Sequence, residues 1–253
     1  MKVQRLRVTF ARGEDLKYIT HLDLMRFWER ALRRAGLPVA HSEGFSPHAQ
    51  LSLAAPLPVG TTSDGELMDV FMAEAISPRR FIDEASPQLP PALSIAGVEE
   101  VGMTLPALQA DVRFAEYLVD VPLICPDGGI GPTSNIQHPN SNPEHGESVA
   151  SMRSAVEAFL AANSVPWQHM RDDAVRSYDI RAQVERIEVA EGEDGAITLA
   201  MRLKNDNTGS GRPEQMVAAL GLGTPRRIHR TKLILAGTSP AREAWRKAGR
   251  FAS

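Results

Sequence analysis

The sequence predicts an α+β protein made of two consecutive β-α-β-β-α-β sandwiches with antiparallel sheets, and three observations carry that expectation. Short segments alternate apolar and polar residues with period two, the signature of half-buried strands. Between them lie segments whose apolar residues recur every three or four positions behind Ser, Thr or Pro start signals, as amphipathic helices require. The order of these segments runs once over residues 1–108 and again over residues 109–238.

In the first half, residues 3–10 place Leu6, Val8 and Phe10 on one face and Arg5 and Arg7 on the other. A helix follows, with Thr20 as N-cap and Asp23 three residues on, and Gly36 and Pro38 end it. Leu24, Trp28, Ala31 and Ala35 form its apolar stripe, widened by Met25 and Leu32, while Arg26, Arg30, Arg33 and Arg34 lie off it. A loop over residues 41–50 leads into a strand carrying Leu51 and Leu53, closed by Gly60. A strand at 66–73 turns Met68, Val70 and Met72 inward, Ser77-Pro78 opens a helix to about Ala85, and a last strand covers about 95–102.

In the second half, residues 112–122 alternate as a strand and 148–162 show helical spacing. Residues 177–189 and 196–204 read as strands joined by the turn EGEDG, with a phase slip near Arg186 that predicts a bulge. Pro213 starts a helix over 212–220, and 227–236 closes the set. This order is that of the ferredoxin-like sandwich, an antiparallel sheet covered on one face by two right-handed crossover helices. Residues 125–148 are dominated by Gly, Pro, Asn and Ser and are expected to be a disordered insertion; residues 239–253 form a basic tail.

Composition narrows the function classes. Hydrophobic residues make up 43% and charged residues 23%, as in ordinary folded proteins. The single cysteine, Cys125, excludes an internal disulfide, a thiolate zinc site or an iron–sulfur cluster, so no cofactor is expected in this chain. No apolar window approaches the length of a membrane span or a signal core, and a cytoplasmic protein with no membrane partner is expected. The net charge of −3 hides a partition: residues 1–60 sum to +4, 61–147 to −11 and 148–253 to +4. Two basic blocks flanking an acidic one leave room for an anionic partner such as RNA.

Five constellations bear on candidate chemistry. Arg26 and Arg30 lie one turn apart on the first helix, with Arg5 and Arg7 on the neighbouring strand, a spacing suited to successive phosphates; the alternative is a solvated helix face with Glu29 paired to Arg33. In the loop Ser42-Glu43-Gly44-Phe45-Ser46-Pro47-His48, Phe45 either stacks on a base while Ser42, Ser46 and His48 hold phosphate, or plugs the core. His21, His41 and His48 with Asp23 have metal-ligating types without a metal-site spacing, so no metal is expected. Further on, Arg176 and Arg181 lie on a strand with a basic neighbour bearing Arg202, either as a basic sheet surface or as cross-strand ion pairs with Asp179 and Glu185. The Gly-rich turn with Ser210 and Arg212 before Pro213 is either a phosphate site or a plain capping turn, and Arg230 belongs to a basic cluster just after it.

The stretch YITHLDLMRFWERALRRAGLPVAHSEGFSPHAQLSLAAPLPVG, with RSYDIR, GSGRPEQMVAALGLG and IHRTKL, resembles the radical SAM-linked protein family, a bacterial domain of unknown function. The resemblance spans nearly the whole chain apart from the insertion and the tail. It implies an accessory partner for a radical SAM enzyme, fused to it or separate from it. The CxxxCxxC motif that binds the radical SAM cluster is absent here, and the resemblance brings no catalytic residue with it. The expected function is a non-catalytic module that binds RNA or presents a substrate in RNA or ribosome-associated modification. An RNA-processing enzyme using an inter-domain cleft, and a protein-docking adaptor without nucleic acid, stay open beside it.

Overall fold

The alternation of Leu6, Val8 and Phe10 produces strand β1 (Gln4–Arg12) in the computed structural model, which describes residues 1–122, 149–171, 174–191 and 196–237. The expected insertion at 125–148, Cys125 within it, and the basic tail at 239–253 lie outside the described residues. The chain is α+β, with mostly antiparallel sheet and five α-helices among the described residues. It separates into two compact units. Among the described residues, the first comprises Met1–Ala115, Asn205–Asn207 and 230–237, and the second those within Glu116–Lys204 and Thr208–His229.

In the first unit β1 is followed by α1 (His21–Arg34), β2 (Leu51–Leu53), β3 (Thr61–Met72), α2 (Pro78–Ala85), β4 (Leu93–Val101) and the single-turn α3 (Leu108–Asp111). Strand order is β4-β1-β3, with β2 on β3, and the β1–β3, β1–β4 and β2–β3 pairs are all antiparallel. Thr20 caps α1 by accepting from the Asp23 N–H, and Ser77 caps α2 through the Arg80 N–H. Leu24, Trp28 and Leu32 of α1 and Phe81 of α2 bury against Leu6, Val8, Phe10, Met68, Val70 and Met72, with Trp28 edge-on to Phe10 at 5.2 Å. That apolar burial drives folding of the unit.

The polar alternation of β1 does not face solvent. Asp69 on β3, fully buried, accepts from Arg5 Nε at 2.8 Å and from Arg7 Nε at 2.9 Å, and Arg5 also donates to the carbonyls of Leu105 and Pro106. The segment after β4 therefore covers this face. Strand β11 (Arg227–Leu235) pairs with β3 and brings in Arg230, whose guanidinium donates to Glu66 and to the Ala55 carbonyl. The two chains pass so closely that a Cβ on Gly65 would lie 2.4 Å from the Thr231 carbonyl oxygen, which restricts that position to glycine.

The second unit contains most of β5 (Val112–Pro122) and of β9 (Ala196–Asp206), together with α4 (Val149–Ala161), the hairpin β6 (Pro166–Arg171) and β7 (Ala174–Asp179), β8 (Val184–Glu191), β10 (Gly209–Ser210) and α5 (Pro213–Ala219). Strand β9 pairs with β5, β8 and β10, and β6–β7 form a separate two-stranded sheet. The β8–β9 register shifts between Val184 and Arg186, where the sequence predicts a bulge. The expected continuous strand over 177–189 is a correction: a 3-10 turn at Arg181–Gln183 breaks it after Asp179, because Asp179 Oδ1 accepts from the N–H groups of Val165 and Arg181 and turns the chain. The β6 strand, with Trp167 and His169, is not predicted from the sequence at all.

Candidate nucleic-acid interface

Helix α1 buries one stripe and leaves its other side in water. Arg26, Arg30, Arg33 and Arg34 are all exposed. Arg26 lies 3.5 Å from Asp23, and Arg30 sits 5.9 Å over the Phe27 ring. No ion pair joins Glu29 to Arg33 among the described residues. Exposed pairs such as Arg26–Asp23 contribute only about 0–1 kcal/mol, so the guanidinium groups remain available to a polyanion. His21 is exposed in the first turn of the same helix.

The loop after α1 is braced from within. Ser42 N–H donates to the His48 carbonyl at 2.9 Å, His48 N–H donates to Ser42 Oγ at 3.1 Å, and Ser42 Oγ lies 3.0 Å from His48 Nδ1. The His41–Ala49 bridge closes its base, and Gly44 at φ +123° lets the chain reverse at its tip. Phe45 therefore stands fully exposed, at 110% of its reference area, and Ser46 is exposed beside it. The reading in which Phe45 plugs the core is excluded. Leaving such a ring in water rather than buried forgoes about 1.5–3 kcal/mol, which a base stacked on it can recover.

Other residues expected to bind phosphate are engaged elsewhere. Arg5 and Arg7 are neutralised by the buried Asp69, and Arg230, 1% exposed, is neutralised by Glu66; these are corrections, because long-range carboxylates cover what local alternation places outside. Arg181 does not project from a strand face. It donates to the carbonyls of Leu160 at 3.1 Å and Val184 at 2.9 Å and so ties the 3-10 turn to α4. Arg202 pairs with Glu116 and lies 3.7 Å from Glu185, so the basic sheet surface resolves into cross-strand pairs. Ser210 in β10 and Arg212, the residue before α5, are exposed, as is Arg176 on β7.

One buried cation escapes sequence reasoning. Arg12 donates to the carbonyls of Lys17 at 3.0 Å and of Pro58 and Thr61 at 3.3 Å. Burial pulls its pKa down, opposed by the charge of Glu66. It fixes the approach to α1, where Tyr18 and Leu22 are exposed. The alternating pattern of β1 runs on to Arg12, so its inward position was the only available signal. Among the described residues no group of three or more His, Cys, Asp or Glu side chains is placed to hold a metal ion, and no helix is long and apolar enough to cross a membrane.

Comparison with known proteins adds the family. A model described as "Uncharacterized protein conserved in bacteria (DUF2344)" matches residues 5–213. The chain belongs to that family. No functionally curated protein matches it. Among solved structures, this DUF2344 chain is similar to a crystal structure of a Cbf5-Nop10-Gar1 complex, at 10% identity and TM-score 0.44, covering 92% of this chain and 49% of that one. A crystal structure of the archaeal box H/ACA sRNP Nop10-Cbf5 complex gives 10% identity, TM-score 0.43, and coverage of 92% and 49%. A structure of an H/ACA RNP bound to a substrate RNA containing 2'-deoxyuridine gives 11%, 0.41, and 91% and 47%. The DUF2344 chain spans about half the length of each of these solved chains. So distant a likeness carries no argument about what it binds.

Proposed function

We propose that this DUF2344 chain is a non-catalytic RNA-binding module that presents RNA to a radical SAM enzyme during RNA or ribosome-associated modification. The observation that carries the RNA reading is Phe45, a fully exposed aromatic ring on a loop braced by Ser42 and His48. The exposed arginines of α1 supply the second ingredient, cations for the backbone. Aromatic stacking with guanidinium contacts is the chemistry of single-stranded RNA recognition. Partnership with a radical SAM enzyme rests on the family resemblance alone. The tandem ferredoxin-like reading of domains 1–108 and 109–238 belongs to the same proposal; the order β4-β1-β3 with β2 on β3 supports it for the first unit.

Binding of single-stranded RNA across a salt series tests the proposal. Four phosphate contacts by Arg26, Arg30, Arg33 and Arg34 give a slope of log K against log salt of about −3, and Arg26→Ala with Arg30→Ala reduces it by about 1.4. Phe45→Ala weakens binding by about 1–3 kcal/mol and leaves the slope unchanged, since stacking releases no counterions. Affinity that is undetectable at low salt, or indifferent to both sets of changes, refutes the RNA reading. Co-purification with a radical SAM enzyme tests the partnership separately.

A further inference from the structure

We propose that the second unit binds a nucleotide where the β6–β7 hairpin meets α5, with a planar base lying against Trp167 and Tyr178 and its phosphate held by Arg176 and Arg212. This site is independent of Phe45 and the α1 arginines. In the hairpin, Trp167 stands opposite Tyr178 and His169 opposite Arg176, so these four side chains share one face of the two-stranded sheet. Tyr178 Oη donates to Gln215 Oε1 on α5, which turns that face towards the helix, and Gln168, Val175 and Ser177 on the other face are exposed. His169 packs edge-on against Tyr178 at 5.7 Å and 82°.

The chemistry of the cluster selects the ligand. Two aromatic rings offer a stacking surface that any base can use, and Gln215 and His169 offer groups that read a base edge. Arg176 and Arg212 are exposed and form no ion pair among the described residues, and guanidinium groups are the usual partners of phosphate oxygens. Arg212 acts within electrostatic reach of the ring: burial raises the Tyr178 pKa, and the Arg212 charge opposes that rise. Trp167 Nε1 and His169 Nδ1 are shielded from water without a hydrogen-bond partner, a state that native proteins rarely tolerate. An acceptor on a base admitted under the hairpin would satisfy either nitrogen. Because β6–β7 stand apart from the main sheet, admitting a ring breaks no ladder of that sheet. The Tyr178–Gln215 contact also joins RSYDIR and GSGRPEQM, segments far apart in sequence that the family resemblance singles out.

Titration of the full chain with AMP, UMP and a 5′-phosphorylated oligouridylate decamer tests the proposal, read by tryptophan fluorescence and by heat. The expected result is saturable binding with quenching. Arg176→Ala with Arg212→Ala weakens it by about tenfold or more, the loss of a charge-assisted hydrogen bond, whereas Phe45→Ala leaves it unchanged. Both arginines are exposed, so the double variant keeps the fold, which an unchanged thermal midpoint verifies. Saturation by AMP or UMP identifies a free nucleotide as the ligand, and saturation by the decamer alone identifies a nucleotide unit of an RNA strand. No saturable binding of any of the three at millimolar concentration overturns the proposal. Binding that the double variant leaves intact, or that only Phe45→Ala weakens, overturns it as well.

Discussion

Replacing Asp69 by Asn leaves the shape of the β1–β3 pair intact and removes the negative charge at its centre. Asp69 accepts from Arg5 Nε and Nη2 and from Arg7 Nε and Nη2, with separations of 2.5–3.2 Å. An amide can accept on its oxygen only, and its NH2 group then faces a guanidinium donor. Arg5 keeps the carbonyls of Leu105 and Pro106, each at 2.9 Å, whereas Arg7 keeps no other partner among the described residues. Removing one partner of a buried charge pair costs about 3–5 kcal/mol. For a chain of this size that is a fall in Tm of roughly 6–20 °C. The exposed pair Arg79–Asp83 on α2 is the internal control, because Asp83→Asn should change stability by less than about 1 kcal/mol. Urea and thermal denaturation of both variants, followed by circular dichroism, make the comparison. Equal, small losses for Asp69→Asn and Asp83→Asn would refute the claim that the β1 arginines are buried and neutralised.

Three further outcomes are expected. Gly65→Ala destabilises by about 1–3 kcal/mol through forced separation of β3 and β11, measured as a lower urea midpoint; an unchanged midpoint removes the close approach. Arg230→Met alone leaves Glu66 buried without its cation, so adding Glu66→Leu restores much of the loss; a double variant less stable than Arg230→Met contradicts the pairing. Asp179, whose pKa is held down by the Val165 N–H and then by that of Arg181, gives stability that is present above about pH 4 and lost as pH falls through its lower folded value. Asp179→Asn should flatten stability over that acid window, and identical acid profiles for the two proteins would argue against it.

The local elements were legible because local physics fixes them. Thr20 and Asp23 mark the start of α1, Ser77-Pro78 that of α2 and Pro213 that of α5, each by satisfying or lacking an N–H at a helix end. The charges were not legible, because what decides their fate is distant in sequence. Arg7 pairs in register with Asp69, and Arg230 meets Glu66, through strand partners that alternation cannot name. An acid set directly between Met68 and Val70, in the apolar half of β3, was the available sign for Asp69. The β6–β7 hairpin was missed because β6 is a six-residue strand opened by Pro166, and the fully buried Ile180 closing the hairpin read as part of a longer strand. Phe45 shows the same limit from the other side: the loop sequence left its ring either inward or outward, and the Ser42–His48 brace decides it.

Ultraviolet crosslinking of the intact chain to single-stranded RNA, with the modified peptides mapped by mass spectrometry, tests the RNA reading most directly. The predicted result is an adduct on the peptide containing Phe45, lost in Phe45→Ala. Adducts confined to residues outside 41–48 and outside α1 would contradict it.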